Sequence, residues 1–119
     1  MMESQLIYKI CRKAEWDIAQ QEGVFRGAPV DLADGFIHFS TAAQLRETAA
    51  RHFAGEAGLL LFSVESATLG DALRWEISRG GDLFPHLYGV LPLEQIISVE
   101  ALPLDAAGRH CFPPGLDDK

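Results

Sequence analysis

The chain has 119 residues, of which 48% are hydrophobic and 23% charged, proportions typical of one globular domain that can bury its own core. Its 10 Lys and Arg residues against 17 Asp and Glu residues give a formal net charge of −7. Because polyanions are bound mainly through clustered lysine and arginine, this charge argues against general nucleic-acid binding and against anionic membranes. A local site for a small anion stays open.

The start of the chain and its two cysteines predict a cytoplasmic protein that does not associate with membranes. The first five residues are largely polar, and the apolar run that follows is too short for a secretory signal or a membrane span. Cys11 and Cys111 do not form a Cys-x-x-Cys motif. We therefore expect two free thiols in a reducing compartment.

The first half of the chain alternates strands with helices. The predicted elements are a strand at 6–10, a helix at 13–21 ending near Gly23, a loop from 27 to 35, a strand at 36–40, and a helix from Thr41 to about Phe53. Thr41 followed by Gln44 is the signature of a capping box, which marks the start of the second helix.

The second half predicts mostly strands. Its elements are a central strand at 59–64, one helical turn at 69–73, a strand at 74–78, a Gly80-Gly81 hairpin turn, a strand at 83–88 and a last strand at 96–99. Pro85 cannot donate to a ladder, so the strand at 83–88 is predicted to lie at an edge or to carry a bulge. This order favours an α+β fold over a doubly wound parallel sheet. We predict a single domain over residues 1–112 and a flexible tail over 113–119.

The first candidate site is the strand at 36–40. Side chains alternate along a strand, so His38 and Ser40 share one face while Ile37 and Phe39 point to the core. Alternate residues lie roughly 7 Å apart, which is too far for a nucleophile and its base but suits two contacts to one ligand. His38, Ser40 and the adjacent Thr41 are therefore predicted to bind a ligand. The alternative is a structural histidine beside a serine near a helix N-terminus.

The second candidate site is the strand at 74–78. By the same alternation Arg74 and Glu76 share a face, and Trp75 and Ile77 are expected to point into the core. Glu76 is a candidate catalytic residue, either as a general base or as a carboxylate that orients a ribose hydroxyl. The alternative is an exposed strand face with a weak charge pair.

The third candidate site is the Gly80-Gly81 turn with the strand at 83–88 that follows it. His86 and Tyr88 share a face, and the flexible Gly80-Gly81 turn lets the backbone approach a ligand. We predict a catalytic role for His86, ligand binding for Tyr88, and a phosphate contact for Arg79. The alternatives are an ordinary hairpin turn and a partly exposed strand.

Other signatures are weak or missing. His38, His86 and Glu76 would supply two histidines and a carboxylate for a metal, but no local metal-binding spacing supports a site, and none is predicted. His52 and His110 are expected to be surface residues. The chain has no G-x-S-x-G motif, phosphate-binding P-loop or Rossmann glycine fingerprint.

Several motifs together resemble the domain-of-unknown-function family 952 over residues from about 6 to 103. They are Ile7-Tyr8-Lys9-Ile10 with Trp16, the segment 34–41, the segment 48–53, Trp75-Glu76, and the segment 83–89. That family is in turn similar in fold to the ADP-ribosyltransferases, whose two small, mainly antiparallel sheets surround a cleft for NAD. The resemblance implies such a fold here, with two helices in the N-terminal half and NAD as a possible substrate.

In the transferases, a histidine or arginine on a strand contacts the NAD ribose, and a Ser or Thr follows two places later. His38 and Ser40 match this pattern. The glutamate that ends the last strand in those enzymes has no clear counterpart, although Glu94 and Glu100 lie in that region.

Three functions remain open from the sequence. The first is an enzyme acting on a nucleotide-like or ADP-ribosyl substrate, in which His38 and Ser40 hold the ribose and Glu76 or His86 stabilises charge at the anomeric carbon or activates the acceptor. The second is a non-catalytic metabolite-binding or regulatory domain that keeps the cleft. The third is a protein-interaction module with an exposed apolar patch.

Overall fold

The computed structural model describes residues 5–78, 80–114 and 116. The strands are β1 (Leu6–Arg12), β2 (Val24–Phe25), β3 (Ile37–His38), β4 (Leu59–Glu65), β5 (Leu73–Ser78), β6 (Asp82–Leu87), β7 (Leu91–Pro92) and β8 (Ile96–Leu102). The helices are α1 (Lys13–Glu22), α2 (Pro29–Asp34) and α3 (Ala42–His52), with 3₁₀ turns at Ser66–Ala72 and Leu93–Gln95. No helix in the described ranges is long and apolar enough to cross a membrane.

The strands form small antiparallel sheets, which confirms the predicted α+β class. One sheet has the order β1-β4-β8, a second has the order β3-β6-β5, and β2 pairs with β7. The prediction of two sheets and two N-terminal helices was therefore short by one sheet and one helix. The β2–β7 pair has only two residues in each strand, too few for an alternating pattern to be visible in the sequence.

The predicted helices at 13–21 and from Thr41 are confirmed by their caps. α1 ends at Gly23, whose φ of 79° is the left-handed conformation that glycine adopts without strain. At the start of α3, the Thr41 hydroxyl accepts from the Gln44 amide, and the Gln44 side chain accepts from the Thr41 amide. Both helices are thus set by local sequence.

The loop predicted at 27–35 is wrong, because it contains α2. Pro29 stands in its first turn and Gly35 follows its last residue with a φ of 89°. Proline at the start and glycine after the end are both typical of a helix. The six-residue helix places Asp31 in the interior, where the side chain is 1% exposed.

Two hydrophobic cores cover the two faces of the β1-β4-β8 sheet. The first contains Ile7, Cys11, Phe25, Phe39, Phe62 and Leu87; the second contains Ile10, Leu45, Ala49, Leu61, Leu102 and Leu116. Strand β4 lies between β1 and β8, as predicted for a central strand. Leu116 is 8% exposed although it lies in the segment 113–119 predicted to be flexible. The Cys11 thiol is fully buried, and this burial, with the nearby Glu15 carboxylate, raises the pKa of Cys11 to about 12.

The β5–β6 hairpin is confirmed, with both turn glycines at positive φ, but one of its faces was assigned wrongly. Trp75 is 37% exposed and Ile77 is 73% exposed, whereas both were expected in the core. The same face is buried at the base of the hairpin, where Leu87 is 2% exposed, because only that end is covered by the first core. Towards the turn the hairpin extends beyond the core.

Strand β6 lies in the centre of its sheet, so the predicted edge position of Pro85 is wrong. The Pro85 carbonyl accepts from the Phe39 amide, on the side of the short strand β3. In an antiparallel ladder the nitrogen and carbonyl of one residue face the same neighbour. The missing N–H of Pro85 therefore faces β3 and leaves the β5–β6 ladder intact.

Candidate functional site

A cleft of about 540 Å³ opens where the two three-stranded sheets meet. The sheets are joined there by Tyr8 and Ser40, which exchange backbone hydrogen bonds of 2.8 and 2.9 Å. The cleft is lined by residues of β1, α2, α3, the segment 38–40 and the β5–β6 hairpin. Two hydrogen-bonded networks, each with one histidine and one carboxylate, lie along this lining.

The Asp31 network consists of Lys9, Ala28, Asp31 and His38. Lys9 Nζ lies 3.0 and 2.8 Å from the two carboxylate oxygens of Asp31. The Ala28 amide donates to Oδ2 at 2.7 Å, while the amide and Nδ1 of His38 donate to Oδ1 at 3.1 and 2.6 Å. Both oxygens of the buried carboxylate are thus satisfied, as a buried charge requires.

These contacts keep Asp31 ionised. Burial alone would raise the pKa of this carboxyl group, but the hydrogen bond from His38 and the charge and hydrogen bond of Lys9 outweigh it. The pKa of Asp31 is lowered to about 2. A negative charge therefore stands behind His38 at neutral pH.

The other ring nitrogen of His38 faces Asp34 at the rim of the cleft. Nε2 lies 3.0 Å from Asp34 Oδ2. A carboxylate only accepts hydrogen bonds, so both contacts are satisfied together when the ring carries both protons. The His38 side chain is 33% exposed and that of Asp34 is 47% exposed. Both side chains can therefore be reached by a ligand.

The Glu76 network consists of Glu76, His86 and Tyr88. His86 Nδ1 and the Tyr88 hydroxyl both lie 2.8 Å from Glu76 Oε1. The hydrogen bond from His86, followed by the one from Tyr88, lowers the pKa of Glu76, and the same carboxylate raises the pKa of Tyr88. An ionised Glu76 accepts from Nδ1–H, which leaves the lone pair of His86 on Nε2. His86 lines the cleft with a side chain only 6% exposed.

The two histidines are brought together by strand register. His38 and His86 are directly paired between β3 and β6, and their ring centroids are 5.4 Å apart. Phe36 stacks on His86 at 4.2 Å and lies 4.5 Å from His38. The apolar ring fills the space beside both imidazoles and limits their rotation.

Of the predicted site residues, the structure brings His38, Glu76, His86 and Tyr88 together. Ser40 lines the cleft, but its hydroxyl contacts the Thr48 hydroxyl at 2.8 Å. Thr41 is used as the cap of α3 and is not part of the cleft lining. Arg79 lies outside the described residues.

The remaining histidines differ from each other. His52 is exposed, as predicted, and lines the α3 side of the cleft. His110 is half-buried rather than exposed, because Nε2 lies 2.8 Å from the Glu56 carbonyl. Among the described residues, no group of three or more His, Cys, Asp or Glu side chains could hold a metal ion.

Sequence reasoning missed the partners of His38. Asp31 and Asp34 were assigned to a loop, and Lys9 to an ordinary strand. The signal that could have placed Asp31 is the helix signature of Pro29 and Gly35 on either side of it. The buried lysine had no comparable signal, since alternation places it on a face without naming its partner.

Comparison with known proteins gives one family and one closely similar solved protein. The model of a family described as "Protein of unknown function (DUF952)" matches residues 10–99. The crystal structure of protein CC0527 from Caulobacter crescentus is 50% identical, with a TM-score of 0.89 over 94% of this chain and 98% of that chain. A solution NMR structure of CC0527 gives 51% identity and a TM-score of 0.79 over 95% and 94% of the two chains. No curated protein matches the chain.

Proposed function

We propose, from the premise that this chain belongs to the DUF952 family, that its cleft binds a nucleotide-like small molecule and catalyses transfer of its glycosyl group. The observation that carries the proposal is the pair of histidines, His38 and His86, held by separate carboxylates on one wall of the cleft. His38 presents Nε2, which lies beside Asp34, and His86 presents the lone pair of its Nε2. A substrate that lies in the cleft beside the two rings contacts both.

The charges around His38 favour a sugar over a phosphate at this end of the cleft. Asp34 lies 3.0 Å from His38 Nε2, so a phosphate here would face a carboxylate. A ribose hydroxyl, by contrast, can donate to Asp34 and share the Nε2–H of His38 that Asp34 accepts. Exposed or half-buried apolar side chains of Pro29, Val30 and Phe53 also line the cleft and suit the flat face of a base. Ribose and base together define a nucleotide-like ligand such as NAD.

The chemistry follows from His86 and Glu76. The bond from the anomeric carbon to the leaving base breaks, and its electron pair leaves with the base. A hydroxyl or water oxygen forms the new bond to that carbon, and its proton moves to His86 Nε2. Glu76 stabilises the imidazolium through Nδ1, and the carboxylates near the cleft stabilise the positive charge that develops on the sugar. Nicotinamide as the leaving group departs neutral and needs no proton.

One observation favours a second candidate, a metabolite-binding domain without turnover. Both ring nitrogens of His38 already contact carboxylates of the same chain. A histidine satisfied in this way can fix the shape of a pocket without acting on its ligand. In that case the ligand binds and is released unchanged.

The test is a two-dimensional NMR titration of labelled protein with NAD, ADP-ribose and nicotinamide, followed by chromatography of the nucleotides after long incubation. We expect shifts at His38, Ser40, Asp34 and His86, and slow release of nicotinamide that the variant His86→Gln abolishes. His110→Gln, which changes a histidine outside the cleft, is the matched control and retains both. Binding without turnover would support the metabolite-binding domain. No shifts at millimolar nucleotide would overturn both proposals.

A further inference from the structure

Strand β5 presents an open edge and an exposed apolar face. It is the outer strand of the β3-β6-β5 sheet. Trp75 and Ile77 are 37% and 73% exposed, and Leu83, opposite Ile77 on the same face, is 52% exposed. Natural edge strands are usually protected by proline, charged side chains (lysine above all) or a bulge. Strand β5, Leu-Arg-Trp-Glu-Ile-Ser, contains neither proline nor lysine, and its pairing with β6 has no irregularity. Its two charges, Arg74 and Glu76, have opposite signs, so they can pair with a second β5 strand rather than repel it.

The backbone groups on this edge can be identified from Pro85. Because the polar backbone groups of Pro85 face β3, its partner Trp75 directs its own N–H and C=O away from β6. Alternation gives Leu73 and Ile77 the same outward direction. The Leu73 N–H already donates to Gly70, so Leu73 offers its carbonyl, while Trp75 and Ile77 offer both groups.

The charges on β5 indicate which partner can pair with this edge. We propose that a second copy of this chain pairs with it, β5 against β5 in antiparallel orientation, with the two-fold axis at Trp75. The two Trp75 residues then exchange backbone hydrogen bonds, and each Ile77 N–H donates to a Leu73 carbonyl across the axis. Arg74 of each copy lies directly opposite Glu76 of the partner subunit. Centring the pair on Arg74 or Glu76 instead would place like charges opposite each other, which is destabilising.

The proposed pairing would also affect the Glu76 network beside the cleft. Arg74 and Glu76 lie on the face of the hairpin that carries His86, and Arg74 stands over the Tyr88 ring at 4.9 Å. The partner subunit's Arg74 would therefore meet the carboxylate that orients His86. On the opposite face, the two exposed tryptophans pack together and shield each other from water. Dimer formation and the Glu76 network are therefore linked through the Glu76 side chain.

The experiment is sedimentation velocity of the full chain from micromolar to millimolar concentration. We expect a dimer whose fraction rises with concentration. The variants Arg74→Glu and Glu76→Arg each place like charges opposite each other twice per dimer, and each raises the dissociation constant by about tenfold or more. The double variant R74E/E76R restores opposite charges across the axis and returns the dissociation constant towards that of the wild type.

A control variant distinguishes the β5 edge from an edge of the β1-β4-β8 sheet. Ile97→Lys introduces a charge on β8, an outer strand of the other three-stranded sheet, and is expected to leave the dimer unchanged. Circular dichroism confirms that each variant is folded, since all the changed positions are exposed or half-exposed. A chain that stays monomeric at millimolar concentration overturns the proposal. So does a dimer that Arg74→Glu does not weaken, or one that the double variant does not restore.

Discussion

The two networks along the cleft bury opposite partners: the Asp31 network buries its carboxylate, and the Glu76 network buries its histidine. In the Asp31 network the carboxylate is 1% exposed and its histidine is 33% exposed. In the Glu76 network the histidine side chain is 6% exposed and its carboxylate is 36% exposed. The charge that must be compensated is therefore deep in the protein in one case and close to water in the other.

This difference in burial gives the two carboxylates different roles, one in stability and one in the chemistry of the cleft. A buried ion that loses its partner keeps its full desolvation penalty, whereas an exposed ion is rescued by water. Asp31, held by Lys9 and two backbone amides, is needed for the fold before it is useful to His38. Glu76 can be changed at small structural cost, and its principal effect is on the proton position of His86.

The largest expected effect comes from neutralising the buried carboxylate. Asp31→Asn leaves Lys9 without its counter-charge, and we expect the free energy of unfolding to fall by about 3 kcal/mol. Urea denaturation followed by circular dichroism measures this loss. Glu76→Gln is the matched change in the exposed network and shifts the denaturation midpoint far less. Equal losses in the two variants would show that the difference in burial has no energetic consequence.

An intermediate effect is expected from acid. The pKa of Asp31 is lowered to about 2 in the folded protein, against 3.8 for an ordinary aspartate, so the unfolded chain binds more protons between these values. Its contribution to stability is complete above pH 4, amounts to about 2 kcal/mol, and is lost as the pH falls towards 2.

Comparison with Asp31→Asn isolates this contribution. Among the described residues, the other carboxylates with lowered pKa are Glu76 and Asp105, and their contributions are present in both proteins and cancel in the difference. Urea denaturation at a series of pH values should therefore show the gap between wild type and variant narrowing below pH 4. A gap that stays constant down to pH 2 would mean that Asp31 titrates normally.

The smallest expected effect concerns the exposed network. Tyr88→Phe removes one of the two hydrogen bonds to Glu76 Oε1, so the pKa of Glu76 rises towards its usual value. Carbon-detected NMR titration of the Glu76 carboxyl group measures this change. The bond from His86 remains, so the shift is partial and the fold is unaffected. An unchanged or lower pKa would show that the tyrosine does not stabilise the carboxylate.

The predictions from sequence succeeded where the signal was local. The capping box at Thr41 and the glycine turn between β5 and β6 each depend on a few neighbouring residues. Alternation also grouped Glu76 with Arg74, and His86 with Tyr88, correctly. It could not say which face of the hairpin is buried, because that depends on how far the core extends beneath it. Trp75 and Ile77 were misplaced for this reason.

The partners of His38 needed information that a single sequence does not contain. A buried aspartate and a buried lysine look the same in the sequence as exposed ones, and Lys9 and Asp31 are 22 positions apart. Only the folded structure, in which the ion pair of Lys9 and Asp31 joins β1 to α2, shows that they compensate each other.

The burial of Cys11 has a practical consequence. Thiol reagents attack the thiolate, and with a pKa of about 12 only roughly one Cys11 side chain in 10⁵ is ionised at neutral pH. Cys111 is exposed to solvent. A maleimide dye will therefore label the native chain at Cys111 alone. A single fluorophore can thus be attached to this protein without first removing a cysteine by mutation.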